Sequence, residues 1–355
     1  MLWIALVLTI LACCLLANQA VGQVIDFEGC TPEQVELCTN GWSPCHCQSL
    51  EPRQVAPLGP RRQHGVNYVL DKTIGLTALN YMNPDFPGWP ETTEAISQLG
   101  FTSAQLWLDI DTWDVSAERA IFHSGMEQVF IKSGKADYQM LDGSCYIMDT
   151  APQAEILRRL YEAGWWEPIT VVLTRWEQDW YPEGCPSDDP YYLSDMVDRL
   201  EWLIAYESEQ QRVFEETRAE LLLEYPHARL TVLRSMTVNH FPGYNVDTDH
   251  PTVGEAIGQM EYPPDLIGIS YWKRRMDPIP ALDWLKEVTG FPATRMFLVE
   301  FGGRADEQPT RFEQYIPQLW DWGIRTILVW TYQDTWHNKY TVTESGLEAL
   351  RELMR

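Results

Sequence analysis

The chain has few basic residues for its length. Its 355 residues include 26 Lys and Arg against 51 Asp and Glu, which gives a formal net charge of -25 at pH 7. A protein with this charge is repelled by the phosphates of nucleic acids and by anionic membrane surfaces. The composition therefore argues against a nucleic-acid partner and favours a neutral or cationic one.

Several catalytic motifs are missing as well. The sequence contains no Gly-x-Ser-x-Gly nucleophile elbow, no phosphate-binding loop and no His-Glu-x-x-His zinc helix. Hydrolases of those types and nucleotide-dependent enzymes are therefore not indicated. Acid and base chemistry by side chains, without a cofactor or a metal, remains.

The first 22 residues carry the features of an export signal. An apolar run without charges extends from Leu2 to Ala17, and small and polar residues follow it up to Gly22. The run is short for a stop-transfer anchor, so we expect a secreted, extracellular protein without a membrane span. The positive residues that usually open such a signal are missing, and Leu11-Ala12-Cys13 leaves lipid attachment at Cys13 as an alternative.

The cysteine content agrees with export. Besides Cys13 and Cys14 the chain has six cysteines, an even number in an oxidising compartment, so we expect up to three disulfides. Residues 23–62 are rich in Cys and Pro and show little periodicity, which predicts a short disulfide-stapled extension. The spacings match no common zinc pattern, and the pairing stays open. The six cysteines are Cys30, Cys38, Cys45, Cys47, Cys145 and Cys185.

After residue 62, apolar runs alternate with amphipathic stretches, which is the pattern of β/α units around a parallel sheet. Eight runs predict strands, so residues 63–355 predict an α/β fold, a (β/α)8 TIM barrel. The predicted strands are Thr73–Met82, Phe101–Ile110, Ser144–Asp149, Pro168–Trp176, Arg229–Asn239, Asp265–Tyr271, Arg295–Glu300 and Arg325–Trp330. The predicted helices are Glu91–Leu99, Ala151–Ala163, Tyr191–Glu224, Ile279–Thr289, Arg311–Trp322 and Glu344–Met354, and residues 240–264 show no clear helix.

Two predicted strands deliver a carboxylate at their carboxyl end, where a β/α barrel keeps its catalytic groups. The seventh strand ends in Glu300, which two glycines follow, and the fourth runs directly into Glu177. These strands lie nearly opposite each other in an eight-stranded barrel, so the two side chains can converge on one bond. Glycoside hydrolysis needs such a pair, one group to protonate the leaving oxygen and one to attack the anomeric carbon. The structural alternative for Glu300 is an ion pair with an arginine at the barrel rim.

Over about residues 70–355, the sequence resembles the large clan of retaining glycoside hydrolases with a β/α barrel, which includes cellulases, mannanases and galactanases. The resemblance implies that Glu177 is the acid/base and Glu300 the nucleophile. It also implies that Tyr271, at the end of the sixth strand, lies near the nucleophile and that Trp330, in the eighth, belongs to the substrate site.

The acid/base has a rival assignment. In this clan the acid/base Glu usually follows an Asn, whereas here Trp176 precedes Glu177. Glu207 or Glu209 would take the role if the apolar segment Trp202–Tyr206 were a strand. The helical spacing of apolar residues over the longer window favours a helix instead.

Aromatic residues are abundant, with 16 Trp and 16 Tyr. Flat amphipathic rings are typical of sugar-stacking surfaces, although such rings also fill cores. The candidates for substrate binding near strand ends are Tyr271, Trp272, Trp330, Asn239, His240, Trp176, Asp334 and Trp336. Together these features predict an exported, monomeric, cofactor-independent glycoside hydrolase that cleaves β-linked poly- or oligosaccharide with retention. The alternative is a non-catalytic carbohydrate-binding or adhesion protein on a glycosidase-like barrel.

Overall fold

Eight parallel strands close into a barrel in the computed structural model of the protein, which describes residues 69–78, 88–108, 113–133, 139–141, 145–147, 151–175, 196–241, 252–271, 277–332 and 341–355. In chain order the strands are β1 (Thr73–Ala78), β2 (Ser103–Trp107), β3 (Gln128–Ser133), β4 (Gln139–Leu141), β5 (Cys145–Ile147), β6 (Thr170–Arg175), β7 (Thr231–Val238), β8 (Leu266–Tyr271), β9 (Met296–Phe301) and β10 (Thr326–Tyr332). Strands β4 and β5 form a separate antiparallel pair, and β10 pairs with β1 to close the barrel formed by the other eight.

Helices lie between the barrel strands. They are α1 (Trp89–Gln98), α2 (Val115–Phe122), α3 (Ala151–Gly164), α4 (Met196–Glu224), α5 (Val253–Gln259), α6 (Ile279–Thr289), α7 (Gln308–Trp322) and α8 (Glu344–Met354). Of the helices in the described ranges, none is both long enough and apolar enough to cross a membrane.

The barrel strands bury apolar residues on both of their faces. Phe130, Val172 and Leu233 belong to a small cluster inside the barrel, whereas their sequence neighbours Ile131 and Val171 belong to the larger cluster outside it. Successive strand residues point to opposite sides, so a strand covered on both sides needs a continuous apolar run. This pattern made the barrel predictable from the sequence, and the predicted (β/α)8 TIM barrel is confirmed.

The third barrel strand was predicted at the wrong place. The structure has it at Gln128–Ser133, while residues Cys145–Ile147 of the predicted segment Ser144–Asp149 belong to the small antiparallel pair. Strand β3 carries Gln128 and Lys132 on either side of residues 129–131, so its apolar run is only three residues long. The pattern of a fully apolar buried strand therefore missed it.

Two helices were also missed. Helix α2 begins after Asp114, whose carboxylate accepts a hydrogen bond from the Ala117 N–H at 3.0 Å. Helix α5 lies in residues 240–264, where no helix was predicted, and it begins with a capping box between Thr252 and Glu255. Both helices are short, so their N-terminal capping residues indicate them more clearly than the spacing of their apolar residues does.

The amino end of the barrel is closed by polar side chains. The Ser103 hydroxyl donates to the Thr73 hydroxyl at 3.4 Å, and the Thr326 hydroxyl lies 3.4 Å from the Gln128 amide oxygen. Each of these residues is the first of its strand.

Residues 1–68 lie outside the described ranges. The export signal, the extension with Cys30, Cys38, Cys45 and Cys47, and lipid attachment at Cys13 therefore stay predictions. Cys185 also lies outside these ranges, and Cys145 is the first residue of β5.

Candidate active site

A β-bulge in β9 turns Glu300 into the barrel. Toward β8, Ile269 pairs with Leu298 but the next residue, Ser270, pairs with Glu300. The register with β10 also shifts by one residue between Leu298 and Phe301. Strand β9 thus carries one more residue than either neighbour over this stretch. Bulges of this kind re-aim a side chain and are common beside active sites.

The bulge lets two consecutive residues face inward. Val299 belongs to the apolar cluster inside the barrel, and Glu300 contacts residues that project from β3 and β8. Phe301 returns to the outer cluster and packs against Phe312 of α7, with ring centroids 6.1 Å apart. A regular strand would have sent the Glu300 side chain outward.

Both carboxylate oxygens of Glu300 are bound. The Lys132 ammonium forms an ion pair with Oε1, and the Ser270 hydroxyl donates a hydrogen bond of 2.9 Å to Oε2. Glu300 is 2% exposed and the Lys132 side chain is fully buried. Because a buried charge is costly unless it is paired, these contacts are what allows an ionised carboxylate here.

Two tryptophan rings enclose the ammonium. The Lys132 Nζ lies 4.7 Å from the ring centroid of Trp107 and 5.6 Å from that of Trp330. The two rings meet edge to face, with centroids 5.9 Å apart. A cation over an indole face is attracted by the ring quadrupole.

Polar residues occupy the corresponding position in five strands of the barrel. Lys132, Thr174, Thr237, Ser270 and Glu300 are the second-to-last residues of their strands, and the Thr174 and Thr237 hydroxyls lie 3.2 Å apart. The side chains one layer further toward the amino ends of the strands are closely packed. A Cβ added at Gly268 would lie 3.1 Å from Phe297 Cζ and 3.4 Å from Thr237 Oγ1. The candidate site therefore faces the loops that follow the strands, where barrel enzymes bind their substrates.

Three other predicted binding residues are described. Tyr271, the last residue of β8, is buried and belongs to the outer apolar cluster, and the hydroxyl of the preceding Ser270 donates to Glu300. Asn239 and His240 directly follow β7 and are buried, at 5% and 6% exposure.

The predicted partner of Glu300 lies outside the described ranges. Glu177 stands two residues beyond the end of β6, so the distance between the two carboxylates remains a prediction. The binding candidates Trp176, Trp272, Asp334 and Trp336 also lie outside these ranges.

The rival acid/base residues are both in helix α4. Glu207 is fully buried and forms an ion pair with Arg234, whose guanidinium also donates to Gln211 at 3.3 Å. Glu209 is exposed, and hydrogen bonding from Arg212 lowers the pKa of its carboxyl. An exposed carboxyl with a lowered pKa is a poor proton donor near neutral pH.

Sequence reasoning missed Lys132 and Ser270. Lys132 was missed because β3 itself was misplaced. A signal was present in Gln128-Val129-Phe130-Ile131-Lys132, in which a short apolar run has a polar residue at each end. Ser270 lies within the correctly predicted sixth strand, but the sequence pattern predicted no role for its side chain.

No protein-family model matches the chain, and no curated protein sequence matches it. Solved structures do match. One is a β-glucosidase from Thermotoga maritima in complex with deoxynojirimycin, at 12% identity and a TM-score of 0.48, covering 81% of this chain and 98% of that one. A second is a GH26 β-mannanase from Bacteroides ovatus, at 11% identity and a TM-score of 0.47, covering 80% and 88%.

A third match is a GH5 xyloglucan-specific endo-β-1,4-glucanase from a metagenomic library, in complex with cellotriose. It has 12% identity and a TM-score of 0.44, and the match covers 77% of this chain and 89% of that chain. At these identities and TM-scores the matches assign no family. The fold class of this protein, a closed β/α barrel, follows from its own structure.

Proposed function

We propose that this protein is an exported retaining glycoside hydrolase that cleaves β-linked poly- or oligosaccharide, with Glu300 as nucleophile and Glu177 as acid/base. The observation that carries the proposal is the setting of Glu300. A bulge aims its carboxylate into the barrel at the carboxyl ends of the strands, and a cation and a hydroxyl hold its two oxygens. A nucleophilic carboxylate has to be ionised and fixed in direction.

The chemistry then runs in two steps. Glu300 attacks the anomeric carbon while Glu177 protonates the departing oxygen, and a glycosyl ester forms. Water activated by Glu177 then hydrolyses that ester. A retaining mechanism requires the two carboxyl groups to lie about 5 to 5.5 Å apart. The net charge of -25 favours a neutral or cationic sugar polymer over an anionic one.

The first prediction tests both carboxylates. Glu300→Gln should abolish turnover, because an amide cannot form the glycosyl ester. Glu177→Gln should still cleave activated aryl glycosides, whose leaving groups need little protonation, and added azide should restore part of its turnover. The assay is a hydrolysis screen over cellulose, mannan, xylan, galactan and β-1,3-glucan, followed by kinetics on the matching aryl glycoside.

Glu209→Gln serves as the control, because Glu209 lies on the exposed side of α4 and should be dispensable. Full activity in Glu300→Gln would end the glycosidase proposal. An inactive Glu300 variant beside a Glu177 variant with normal activity would move the acid/base role to another carboxylate.

The second candidate function is carbohydrate binding without catalysis. The ion pair between Glu300 and Lys132 is the observation that favours it, because such a pair can also serve only to order the barrel mouth. Wild-type protein that binds an oligosaccharide from the screen but releases no sugar from it would support this candidate.

A further inference from the structure

Lys132 is a feature that two-carboxylate glycoside hydrolysis does not itself require. Its ammonium is fully buried at the carboxyl end of β3 and forms an ion pair with Oε1 of Glu300. Trp107 and Trp330 lie against the same ammonium, at 4.7 and 5.6 Å from their ring centroids. A buried ammonium without a carboxylate would be strongly unfavourable, so the positions of the two charges depend on each other.

We propose that Lys132 is a positioning residue that acts through Glu300 and favours hydrolysis of the glycosyl ester over its formation. The inference rests on the proposed function, because it concerns the two steps of that reaction. It differs from a purely structural role in that Lys132 should affect the two steps unequally.

The two steps should respond differently because the negative charge of Glu300 is lost in the first and restored in the second. In the first step a Glu300 oxygen bonds to the anomeric carbon, the bond to the leaving oxygen breaks, and the acid/base gives that oxygen a proton. The negative charge of the carboxylate is lost in the ester. The Lys132 ammonium then loses its counter-charge, so its attraction to the carboxylate opposes this step.

The second step reverses the change. The oxygen of water bonds to the anomeric carbon, the ester C–O bond breaks with its electron pair returning to Glu300, and the water proton goes to the acid/base. Negative charge reappears on Glu300 beside the fixed ammonium. A preorganised cation at a developing anion stabilises the transition state without further rearrangement.

Ser270 supplies the matched comparison. It binds the other oxygen of Glu300 at 2.9 Å and, like Lys132, projects from a barrel strand. A neutral hydroxyl distinguishes a carboxylate from an ester less strongly than an ammonium does. Ser270→Ala should therefore change both steps by similar factors.

The experiment uses a panel of 2,4-dinitrophenyl β-glycosides, namely the glucoside, mannoside, galactoside and xyloside, on the whole mature protein. With so good a leaving group, kcat reports ester hydrolysis and kcat/KM reports ester formation. For Lys132→Met we expect kcat to fall on the order of 100-fold, as when one preorganised donor is removed from a developing anion. We expect KM to fall by at least the same factor, so that kcat/KM stays unchanged or rises, because the ammonium no longer opposes ester formation. Lys132→Arg, which keeps the charge, should recover most of kcat.

For Lys132→Met we also expect an initial burst of dinitrophenol release, because the glycosyl-enzyme accumulates when its hydrolysis is slow. Equal losses of kcat and kcat/KM in Lys132→Met would show that Lys132 only shapes the site, and unchanged values would show that it has no role. Either result overturns the inference while leaving the proposed function in place. A wild type that turns over no member of the panel and no polysaccharide contradicts the proposed function, and the inference falls with it.

Lys132→Gln covers the case in which Lys132→Met does not fold. The amide removes the charge and keeps an N–H donor, on a side chain that is one bond shorter than that of lysine. The same division between kcat and kcat/KM is expected, and equal losses would again overturn the inference.

Discussion

Individual residues at the carboxyl ends of the barrel strands contribute both to packing and to the candidate active site. Trp330, predicted to belong to the substrate site, is only 9% exposed and lies edge to face against Trp107. Lys132 lies between these rings and Glu300. Replacing any of these side chains therefore changes the environment of the others. Because Trp330 is buried, removal of its ring should also cost stability.

The second prediction concerns Trp330. Trp330→Ala should weaken oligosaccharide binding and also lower the free energy of unfolding by about 3 to 5 kcal/mol, the usual cost of truncating a buried tryptophan. Urea denaturation measures the stability and isothermal titration the binding. Trp166→Ala is the control, because Trp166 is 45% exposed and its N–H donates to an exposed Glu167 carboxylate. Equal stability losses in the two variants would contradict the burial argument.

At the scale of elements, helix α4 shows how a long helix is fixed on the barrel. Its buried residues recur with spacings of three and four and include Leu203, Glu207, Phe214 and Leu221. The other buried residues described in α4 are Gln210, Gln211 and Thr217, so its buried face is partly polar, and Glu207 pairs with Arg234 of β7 between the helix and the barrel. The pair is fully buried on both sides. It fixes one position of the helix along the strand, and an apolar contact alone would do this less specifically.

The third prediction compares two glutamates of α4. Glu207→Gln should lower the free energy of unfolding by about 3 to 5 kcal/mol, because the buried Arg234 guanidinium loses its carboxylate partner. Glu209→Gln should leave stability unchanged within the error of a urea titration, because its ion pair with Arg212 is exposed. If the two variants were equally stable, Glu207 would not be a structural residue of the interface. Its assignment as a rival acid/base would then regain support.

At the scale of the whole molecule, the acidic composition and the cysteines describe the setting in which the barrel works. A net charge of -25 repels polyanions, and export into an oxidising compartment stays a prediction from the apolar first residues and the six later cysteines. We therefore propose that the extension of residues 23–62 is tied by disulfides, with Cys145 and Cys185 joined to each other or to that segment.

The fourth prediction follows from this proposal. Mature protein that is denatured without a reducing agent should show no free thiols, and the same sample after reduction should show all six. Losing one native disulfide should lower the free energy of unfolding by about 2 to 5 kcal/mol. Titration with a thiol reagent in denaturant provides the count. Six free thiols before reduction would contradict export with disulfides.

The sequence by itself determined the barrel and the candidate nucleophile. Strands buried on both faces need continuous apolar runs, and these runs placed seven of the eight barrel strands and put Glu300 at the end of the seventh. The tertiary structure alone decided which groups surround Glu300. Lys132 lies 168 residues away along the chain and meets Glu300 only because two strands of a closed barrel face one interior. The bulge that turns Glu300 inward, and its contact with Ser270, depend on the register between strands, which a pattern within one strand does not contain.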